Sequence, residues 1–326
     1  MPARRGIGRN YKAGTMRTSP LVSILGPTAC GKTAVAVGVA RAIGGAILSA
    51  DSRQLYRGMD IGTGKDLEEY AHPEHGAIAH YLIDVADAGE RWSLYTYLEA
   101  FYKAHADAAA KGYRPILCGG TGLYAEAVIR GYHLPAVPED AALREELAPC
   151  TMEELTARLA SLQTLHNTTD TESRKRLVRA IEIATATRRS GAAAASYPLI
   201  PIGPTFAIAP TREARRARIS ARLDARLAQG LVEEVRGLVA RGVQHDTLQY
   251  YGLEYRYVSL HLLGKLTWEE MRNGLETAIH QFAKRQMTYL RGMERRGTQL
   301  IWLDGDKSTE TLIQTIVESL RREHGV

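Results

Sequence analysis

The chain has 326 residues, of which 45% are hydrophobic and 24% are charged, and it contains three cysteines. At roughly 150 residues per domain the length suggests about two structural units, and the composition argues against a disordered, collagen-like or membrane-spanning protein. The net charge is +6, and the widely spaced cysteines favour neither a disulfide framework nor a zinc site, so we expect a reducing, cytoplasmic setting.

Most of the net charge lies in the first residues of the chain. The segment 1–18 contains no acidic residue and five basic ones, namely Arg4, Arg5, Arg9, Lys12 and Arg17. The rest of the chain is therefore nearly neutral overall. It also lacks the apolar stretch of a secretory signal. We interpret residues 1–19 as a basic tail that we expect to be disordered, with a nucleic-acid-binding arm as the alternative.

Strand, loop and helix patterns alternate over the first part of the chain. Short apolar runs that are typical of buried strands occur at 21–25, 46–49, 81–85 and 115–118. Helical stretches are predicted at 32–43 and 93–110. This alternation predicts an α/β fold, in which a parallel sheet has helices on both faces.

The character of the sequence changes after Gly131. Residues 139–199 predict only helices, at 141–147, 152–162 and 173–187, followed by Gly191 and a proline-rich stretch. One more strand is predicted at 205–209, and helices at 212–241, 267–291 and 309–323. We therefore predict an α/β core formed by residues 20–138 and 200–326, interrupted by a helical insertion at 139–199.

A phosphate-binding loop connects the first strand to the first helix. Gly26-x-x-x-x-Gly31-Lys32-Thr33 matches the P-loop pattern in full and has the strand-to-helix context that this pattern requires. Backbone N–H groups and the helix N-terminus can surround phosphate oxygens, while Lys32 reaches the terminal phosphate and Thr33 can hold Mg²⁺. The loop alone leaves a kinase, an NTPase and a transferase with a diphosphate leaving group open.

An aspartate follows the second predicted strand. Residues 46–50 lead directly into Asp51, and residues just beyond the carboxyl ends of parallel strands face the ligand crevice. We therefore expect Asp51 near the mouth of the P-loop, as a carboxylate that orients a nucleophile or takes its proton. An N-cap aspartate at the start of a helix is the alternative.

Several segments together resemble one family. They are Gly26-Pro-Thr-Ala-Cys-Gly-Lys-Thr33, Asp51-Ser-Arg-Gln54, Met59-Asp-Ile-Gly-Thr-Gly-Lys65, Leu82-Ile-Asp84, Gly119-Gly-Thr-Gly-Leu-Tyr124, Phe206-Ala-Ile-Ala-Pro210, Arg218-Ile-Ser-Ala-Arg222 and Ala283-Lys-Arg-Gln-Met-Thr-Tyr-Leu-Arg-Gly292. Their residues and order resemble the tRNA dimethylallyltransferases, which are the tRNA isopentenyltransferases of the IPP transferase family. The resemblance covers about residues 20–304.

This resemblance implies how the P-loop is used. The diphosphate of dimethylallyl diphosphate, not ATP, would bind to Gly26, Pro27, Thr28, Ala29, Cys30, Gly31, Lys32 and Thr33. Lys32, Thr28, Mg²⁺ on Thr33 and, by family match, Arg222 would stabilise the departing diphosphate. Asp51 would accept a hydrogen bond, and then a proton, from the exocyclic amine of the adenosine 3′-adjacent to the anticodon.

The resemblance also implies a tRNA anticodon stem-loop as partner. A base must leave its stack to reach the pocket, and RNA loops are held by backbone and base-edge contacts. The residues assigned to tRNA are Asp51, Ser52, Arg53, Gln54 and Thr121; Arg144, Lys175, Arg176 and Arg179 in the insertion; and Lys284, Arg285, Gln286 and Arg291 near the C-terminus. Arg176 and Arg179, three residues apart, would form a pair on one helical face that grips the RNA backbone. We expect a monomer without a membrane partner.

Departures from the family pattern keep other functions open. The insertion is short, the segment 166–170 differs from the family, and 249–256 retains the family's glycine but not its neighbours. These departures motivate an adenylate isopentenyltransferase that acts on AMP, ADP or ATP. A P-loop nucleotide kinase with Tyr81–Asp84 as a Walker-B-like strand, and a non-enzymatic RNA-binding protein, are the further alternatives.

Overall fold

The computed structural model describes residues 19–71, 76–164, 171–190 and 197–324. Its strands are β1 (Leu21–Leu25), β2 (Gly45–Ser49), β3 (His80–Tyr81), β4 (Arg114–Gly119), β5 (Ile202–Ala209) and β6 (Ile301–Asp304). Its helices are α1 (Lys32–Ile43), α2 (Leu94–Ala110), α3 (Gly122–Ile129), α4 (Ala141–Leu147), α5 (Met152–Leu162), α6 (Arg174–Ser190), α7 (Arg212–Ala228), α8 (Leu231–Ala240), α9 (His245–Leu248), α10 (Leu253–Leu262), α11 (Trp268–Arg295) and α12 (Thr309–His324), and Leu67–Tyr70 form a 3₁₀ turn. Within these residues no helix combines the length and apolar character needed to cross a lipid bilayer.

All six strands form one parallel sheet in the order β3-β2-β4-β1-β5-β6. β1 lies between β4 and β5, with Ile24 paired to Cys118 on one side and to Phe206 on the other. All five residues of β1 are buried, as its continuous apolar run predicts for a central parallel strand. The predicted parallel α/β sheet is confirmed.

Alternate residues of each strand enter two separate cores. Val22 and Ile24 of β1 pack in a core that includes buried residues of α1 and α12. Leu21 and Leu25 enter the larger core, to which α2, α3, α8, α10 and α11 contribute. Because the strands are parallel, their carboxyl ends lie at one edge of the sheet, and the loops that follow them meet there.

Helices α4, α5 and α6 share a small apolar core of their own. Its buried residues include Leu143, Leu147, Leu155, Leu159, Leu177 and Ile181. The predicted bounds of α4 and α5 coincide with the observed ones, and α6 extends from Arg174 to Ser190. The unusual segment 166–170 and Gly191 lie outside the described residues, as do residues 1–18 of the predicted tail.

The structure differs from the prediction in several elements. The strand predicted at 81–85 ends at Tyr81, because Leu82 (φ 64°) and Asp84 (φ 56°) take left-handed backbone conformations that break the strand. The helix predicted at 212–241 is divided into α7 and α8 by Gly230, which has φ 101°. Strand β6 and helices α3, α9 and α10 were not predicted.

Candidate active site

A cavity of about 630 Å³ lies over the P-loop at the carboxyl edge of the sheet. Its wall is formed by the loop after β1, the segment that leads into the 3₁₀ turn, helix α7 and the loop after β6. The lining residues include Thr28, Ala29, Cys30, Gly31, Lys32, Thr33, Asp51, Gln54, Thr63, Gly64, Asp66, Glu69, Arg218, Arg222 and Asp306. Most of the residues predicted to bind diphosphate therefore share one cavity.

The backbone of the P-loop is held by a residue that is distant in sequence. Gly31 has φ 78° and precedes α1, a left-handed conformation that glycine adopts without strain. The buried Gln286 of α11 accepts a hydrogen bond from the Thr28 N–H at 2.8 Å and donates one to the Gly120 carbonyl at 2.8 Å. Gln286 thus ties the P-loop to the end of β4. The contact of Gln286 with RNA stays a prediction.

Lys32 and Thr33 begin α1 and line the cavity. The Lys32 Nζ atom donates to the Pro27 carbonyl at 3.4 Å. Among the described residues no group of three or more His, Cys, Asp or Glu side chains could hold a metal ion. The Thr33 hydroxyl still fits Mg²⁺, because this ion usually takes few protein ligands and completes its shell with substrate phosphates and water.

Two arginines of α7 face the P-loop across the cavity. Arg222 pairs with Asp66 at 2.6 Å between Nη2 and Oδ2, and Arg218 donates to the Gly305 carbonyl at 2.8 Å. Both line the cavity. The predicted cation Arg222 is therefore at the diphosphate cavity, whereas Arg218, which was quoted only as part of the motif, joins it from the same helix face.

A third arginine was missed by sequence reasoning. Arg226 is 8% exposed, and its Nη2 atom has no hydrogen-bond partner among the described residues. The Nη2 atom lies 4.0 Å from the Asp66 carboxylate, and the Nη1 atom lies 3.9 Å from that of Glu254. Burial lowers the pKa of Arg226 and raises the pKa of Glu254, although each partner's charge opposes the shift. Only the i, i+4 spacing from Arg222 could have indicated it.

Glu69 brings a carboxyl group with unusual acidity into the same cavity. Burial, together with the nearby negative charge of Asp66, raises the pKa of Glu69 from its usual 4.5 to about 7. The positive charges of Arg222 and Lys32 limit the shift. The Glu69 carboxyl group can therefore gain or lose a proton near neutral pH.

Asp51 lies between this cavity and a second one of about 320 Å³. Asp51, Thr28 and Thr63 line both. The Asp51 Oδ1 atom accepts a hydrogen bond from the Arg53 N–H at 3.0 Å, which closes a turn. No helix follows Asp51, so the alternative of an N-cap aspartate is wrong.

The neighbours of Asp51 connect the loops after β2 and β4. The Ser52 N–H donates to the Thr121 hydroxyl at 3.0 Å, and that hydroxyl donates to the Ser52 hydroxyl at 3.2 Å. Gln54 is buried, donating to the Gly64 carbonyl at 3.0 Å and accepting from the Ser49 hydroxyl at 2.9 Å. The amide of Gln54 is thus engaged within the protein, and its contact with a base stays a prediction.

The segment from Met59 to Lys65, which carries Thr63 and Gly64 into the cavities, is fixed by Glu234. Its carboxylate accepts hydrogen bonds from the N–H groups of Asp60 at 2.7 Å, Ile61 at 2.7 Å and Gly62 at 3.0 Å. The Tyr255 hydroxyl donates to the same carboxylate at 2.7 Å. Sequence reasoning gave Glu234 no role, because its partners are backbone groups that leave no pattern in the sequence.

Asp84, the acidic residue of the Walker-B-like alternative, forms an ion pair with Lys65. The side chain of Lys65 is fully buried, and its Nζ atom donates to the Tyr56 carbonyl at 2.7 Å, to Asp60 at 2.6 Å and to Asp84. Moreover, β3 is separated from β1 by β2 and β4. Asp84 is therefore not placed to serve the P-loop, and the kinase alternative loses its supporting residue.

The predicted RNA-binding residues of α11 lie mainly on the surface. Lys284, Arg285 and Arg291 are exposed, and Arg285 also lines the second cavity. The exposed cations and the inward-facing Gln286 thus occupy different faces of one helix.

The predicted basic residues of the insertion divide into two groups. Arg144 binds the buried carboxylate of Glu182 at 2.7 and 3.0 Å, and Arg179 binds it at 3.1 Å and the Val137 carbonyl at 2.6 Å. Burial opposes ionisation of Glu182, but these hydrogen bonds leave its pKa lowered. Lys175 and Arg176 are exposed, and Arg176 pairs with Glu172 at 2.6 Å. Arg176 and Arg179 are therefore not an equivalent pair.

Comparisons with known protein families and with individual relatives point to the same kind of transferase. The family described as IPP transferase matches residues 54–293, and that described as Isopentenyl transferase matches residues 20–74. The chain is 51% identical over 284 residues to tRNA dimethylallyltransferase 1 of Porphyromonas gingivalis, covering 87% of this chain and 93% of the relative. It is 48% identical over 307 residues to tRNA dimethylallyltransferase 2 of Bacteroides fragilis, covering 94% and 99%.

Solved structures share the fold. The tRNA isopentenylpyrophosphate transferase from Bacillus halodurans superimposes with a TM-score of 0.67 at 28% identity, covering 93% of this chain and 96% of that one. A eukaryotic dimethylallyltransferase acting on tRNA superimposes with a TM-score of 0.73 at 17% identity, covering 94% and 79%. At that lower identity the likeness concerns the fold alone.

Proposed function

The chain belongs to the IPP transferase family, and from this premise we propose that it transfers a dimethylallyl group from dimethylallyl diphosphate to tRNA. The acceptor is the exocyclic amine of the adenosine 3′-adjacent to the anticodon, and diphosphate is released. The observation that carries this proposal is the position of Asp51 and Thr28, which line both the P-loop cavity and the cavity beside it.

The P-loop cavity suits the leaving group. Backbone N–H groups at the start of α1, with Lys32, surround one side of the diphosphate, and Arg222 faces it from α7. As the bond between the allylic carbon and oxygen breaks, its electron pair stays on the diphosphate, where these cations stabilise the added charge. Mg²⁺, held by Thr33 and the diphosphate oxygens, would neutralise further charge on that group.

Asp51 is the group that serves the acceptor. The amine nitrogen forms a bond to the allylic carbon and then carries an excess proton, which the Asp51 carboxylate accepts. The Arg53 N–H holds one carboxylate oxygen at 3.0 Å and so restricts the orientation of the side chain. Arg222 contacts the Asp66 carboxylate at 2.6 Å. A diphosphate bound in the cavity replaces part of this contact with Arg222.

The RNA is held by basic groups around the second cavity. Arg53, Arg256 and Arg285 line it, and Lys284 and Arg291 continue the positive surface along α11. Lys175 and Arg176 extend it onto the insertion. Such cations contact phosphates and position the loop, so that the target base can enter the cavity.

The direct test is transfer of a labelled dimethylallyl group from dimethylallyl diphosphate to an anticodon stem-loop with adenosine at the target position. We expect Mg²⁺-dependent labelling of that adenosine, and none when it is replaced by guanosine. AMP and ATP are offered in parallel. A kcat/KM for AMP above that for the stem-loop would replace the tRNA enzyme by the adenylate isopentenyltransferase, and ATP turnover without any prenyl donor would favour a kinase.

A further inference from the structure

An exposed aromatic ring stands beside the second cavity. Tyr250 is 41% exposed, whereas the next residue, Tyr251, is fully buried. Gln249 and Tyr251, the residues on either side, line the second cavity, and Tyr250 itself lies outside it. Gly252 follows with φ 154° and ψ 175°, a conformation that glycine adopts far more readily than other residues. This local geometry turns one tyrosine inward and leaves the other at the rim.

The buried neighbour holds this ring in place. The Tyr251 hydroxyl accepts a hydrogen bond from the Gly89 N–H at 2.5 Å and donates one to the Glu90 carbonyl at 2.9 Å. The Tyr250 ring packs edge-on against Tyr251, with centroids 5.6 Å apart and planes at 76°. Tyr250 is therefore supported from below, and its exposure does not reflect a freely rotating surface side chain.

Two guanidinium groups accompany the ring. The central carbon of Arg91 lies 5.4 Å from the ring centroid and that of Arg53 lies 5.9 Å from it. Arg53 also donates to the Tyr250 carbonyl at 2.5 Å. Within the described part of the chain neither arginine forms a salt bridge with a carboxylate. Both guanidinium groups lie over the ring, so Tyr250 and these arginines together offer the aromatic and cationic contacts with which proteins bind single-stranded nucleic acids.

We propose that Tyr250 is a stacking platform for a nucleotide that flanks the target adenosine, with Arg53 and Arg91 contacting its phosphates. The inference rests on the proposed function and names the contact by which the RNA is gripped at the rim. A base on Tyr250 cannot occupy the second cavity, which leaves that cavity to the extruded adenosine. The platform thereby reads the opened shape of the loop and not a particular sequence, since every base has a stacking face.

The test is a double-mutant cycle between the protein and the RNA, measured as equilibrium binding. Tyr250→Leu and Tyr250→Phe are combined with an intact anticodon stem-loop and with two versions that are abasic immediately 5′ or 3′ of the target adenosine. We expect Tyr250→Leu to raise the Kd for the intact RNA about tenfold, and Tyr250→Phe to change it less than about twofold. One abasic RNA should bind the native protein about tenfold more weakly and lose nothing further with Tyr250→Leu.

Tyr113→Leu is the matched control, because Tyr113 is similarly exposed at 37% but precedes β4, at the opposite edge of the sheet. Thermal unfolding of each variant checks that the fold is retained. An equal effect of Tyr250→Leu and Tyr113→Leu overturns the proposal, as does an equal loss on all three RNAs. If the native chain binds the stem-loop but transfers no dimethylallyl group, the proposed function fails while the cycle still decides the role of Tyr250. If it binds no RNA, both are overturned.

Discussion

The P-loop edge of the sheet and the helical insertion both contain residues that the sequence assigns to a ligand, but the fold uses them differently. At the edge, Thr28, Lys32, Asp51 and Arg222 line one cavity although they come from separate elements. In the insertion, Arg144 and Arg179 bind the buried carboxylate of Glu182.

The difference lies in what determines each position. The P-loop and the residue after β2 are placed by backbone geometry, since the ends of adjacent parallel strands must meet at one edge. Charge patterning carries no such constraint. An arginine on a helix binds whichever acceptor is nearest, and in the insertion the acceptors are Glu182 for Arg144 and the Val137 carbonyl for Arg179.

The largest effect is expected from removing the Asp51 carboxylate. Asp51→Ala should lower kcat for prenyl transfer about 100-fold or more, because the amine loses its proton acceptor, while the Kd for the stem-loop stays within severalfold. Single-turnover rates and equilibrium binding separate the two. Asp107→Ala, which removes a carboxylate bound to Tyr81 and Lys111 outside the cavities, is the control. Unaltered turnover in Asp51→Ala would remove this residue from the mechanism.

Smaller effects are expected from replacing Arg179 and Arg176, two arginines of α6 with different surroundings. Arg179→Ala should lower the free energy of unfolding by about 1–2 kcal/mol, because Glu182 and the Val137 carbonyl lose a donor. Arg176→Ala should change stability by less than about 0.5 kcal/mol but weaken RNA binding about threefold and reduce the salt dependence of binding by roughly one phosphate contact. Urea unfolding and binding at several salt concentrations measure both. The reverse pattern would mean that Arg179, and not Arg176, meets the RNA.

The smallest expected effect concerns the acidity of Glu69. Because its folded-state pKa is raised to about 7 from 4.5, this group favours folding most below about pH 4.5 and loses that contribution as the pH rises through 7. Glu69→Gln should therefore unfold at nearly the same urea concentration as the native chain at pH 5. At pH 8 it should be about 1 kcal/mol more stable, less than the full shift implies, because solvent screens this partly exposed carboxyl group. Glu68→Gln, at the exposed neighbouring position, should show no such difference. Parallel pH profiles for all three proteins would contradict a raised pKa.

The sequence predicted those parts of the molecule that have a local cause. The P-loop and α1 follow from the glycines and the apolar run before them, and Asp51 follows from its position after β2. Gln286, Glu234 and Arg226 could not be assigned in this way, because their partners are backbone groups or charges brought together only by the packed helices. Likewise β6 has only four residues, and its pairing with β5 alone makes it a strand.

The hydrogen bond from Thr28 to Gln286 joins positions 258 residues apart. During synthesis the glycine-rich turn leaves the ribosome early, yet the amide that steadies it is translated near the end. The loop therefore acquires this hydrogen bond only after α11 has docked, and a chain that ends before α11 lacks it.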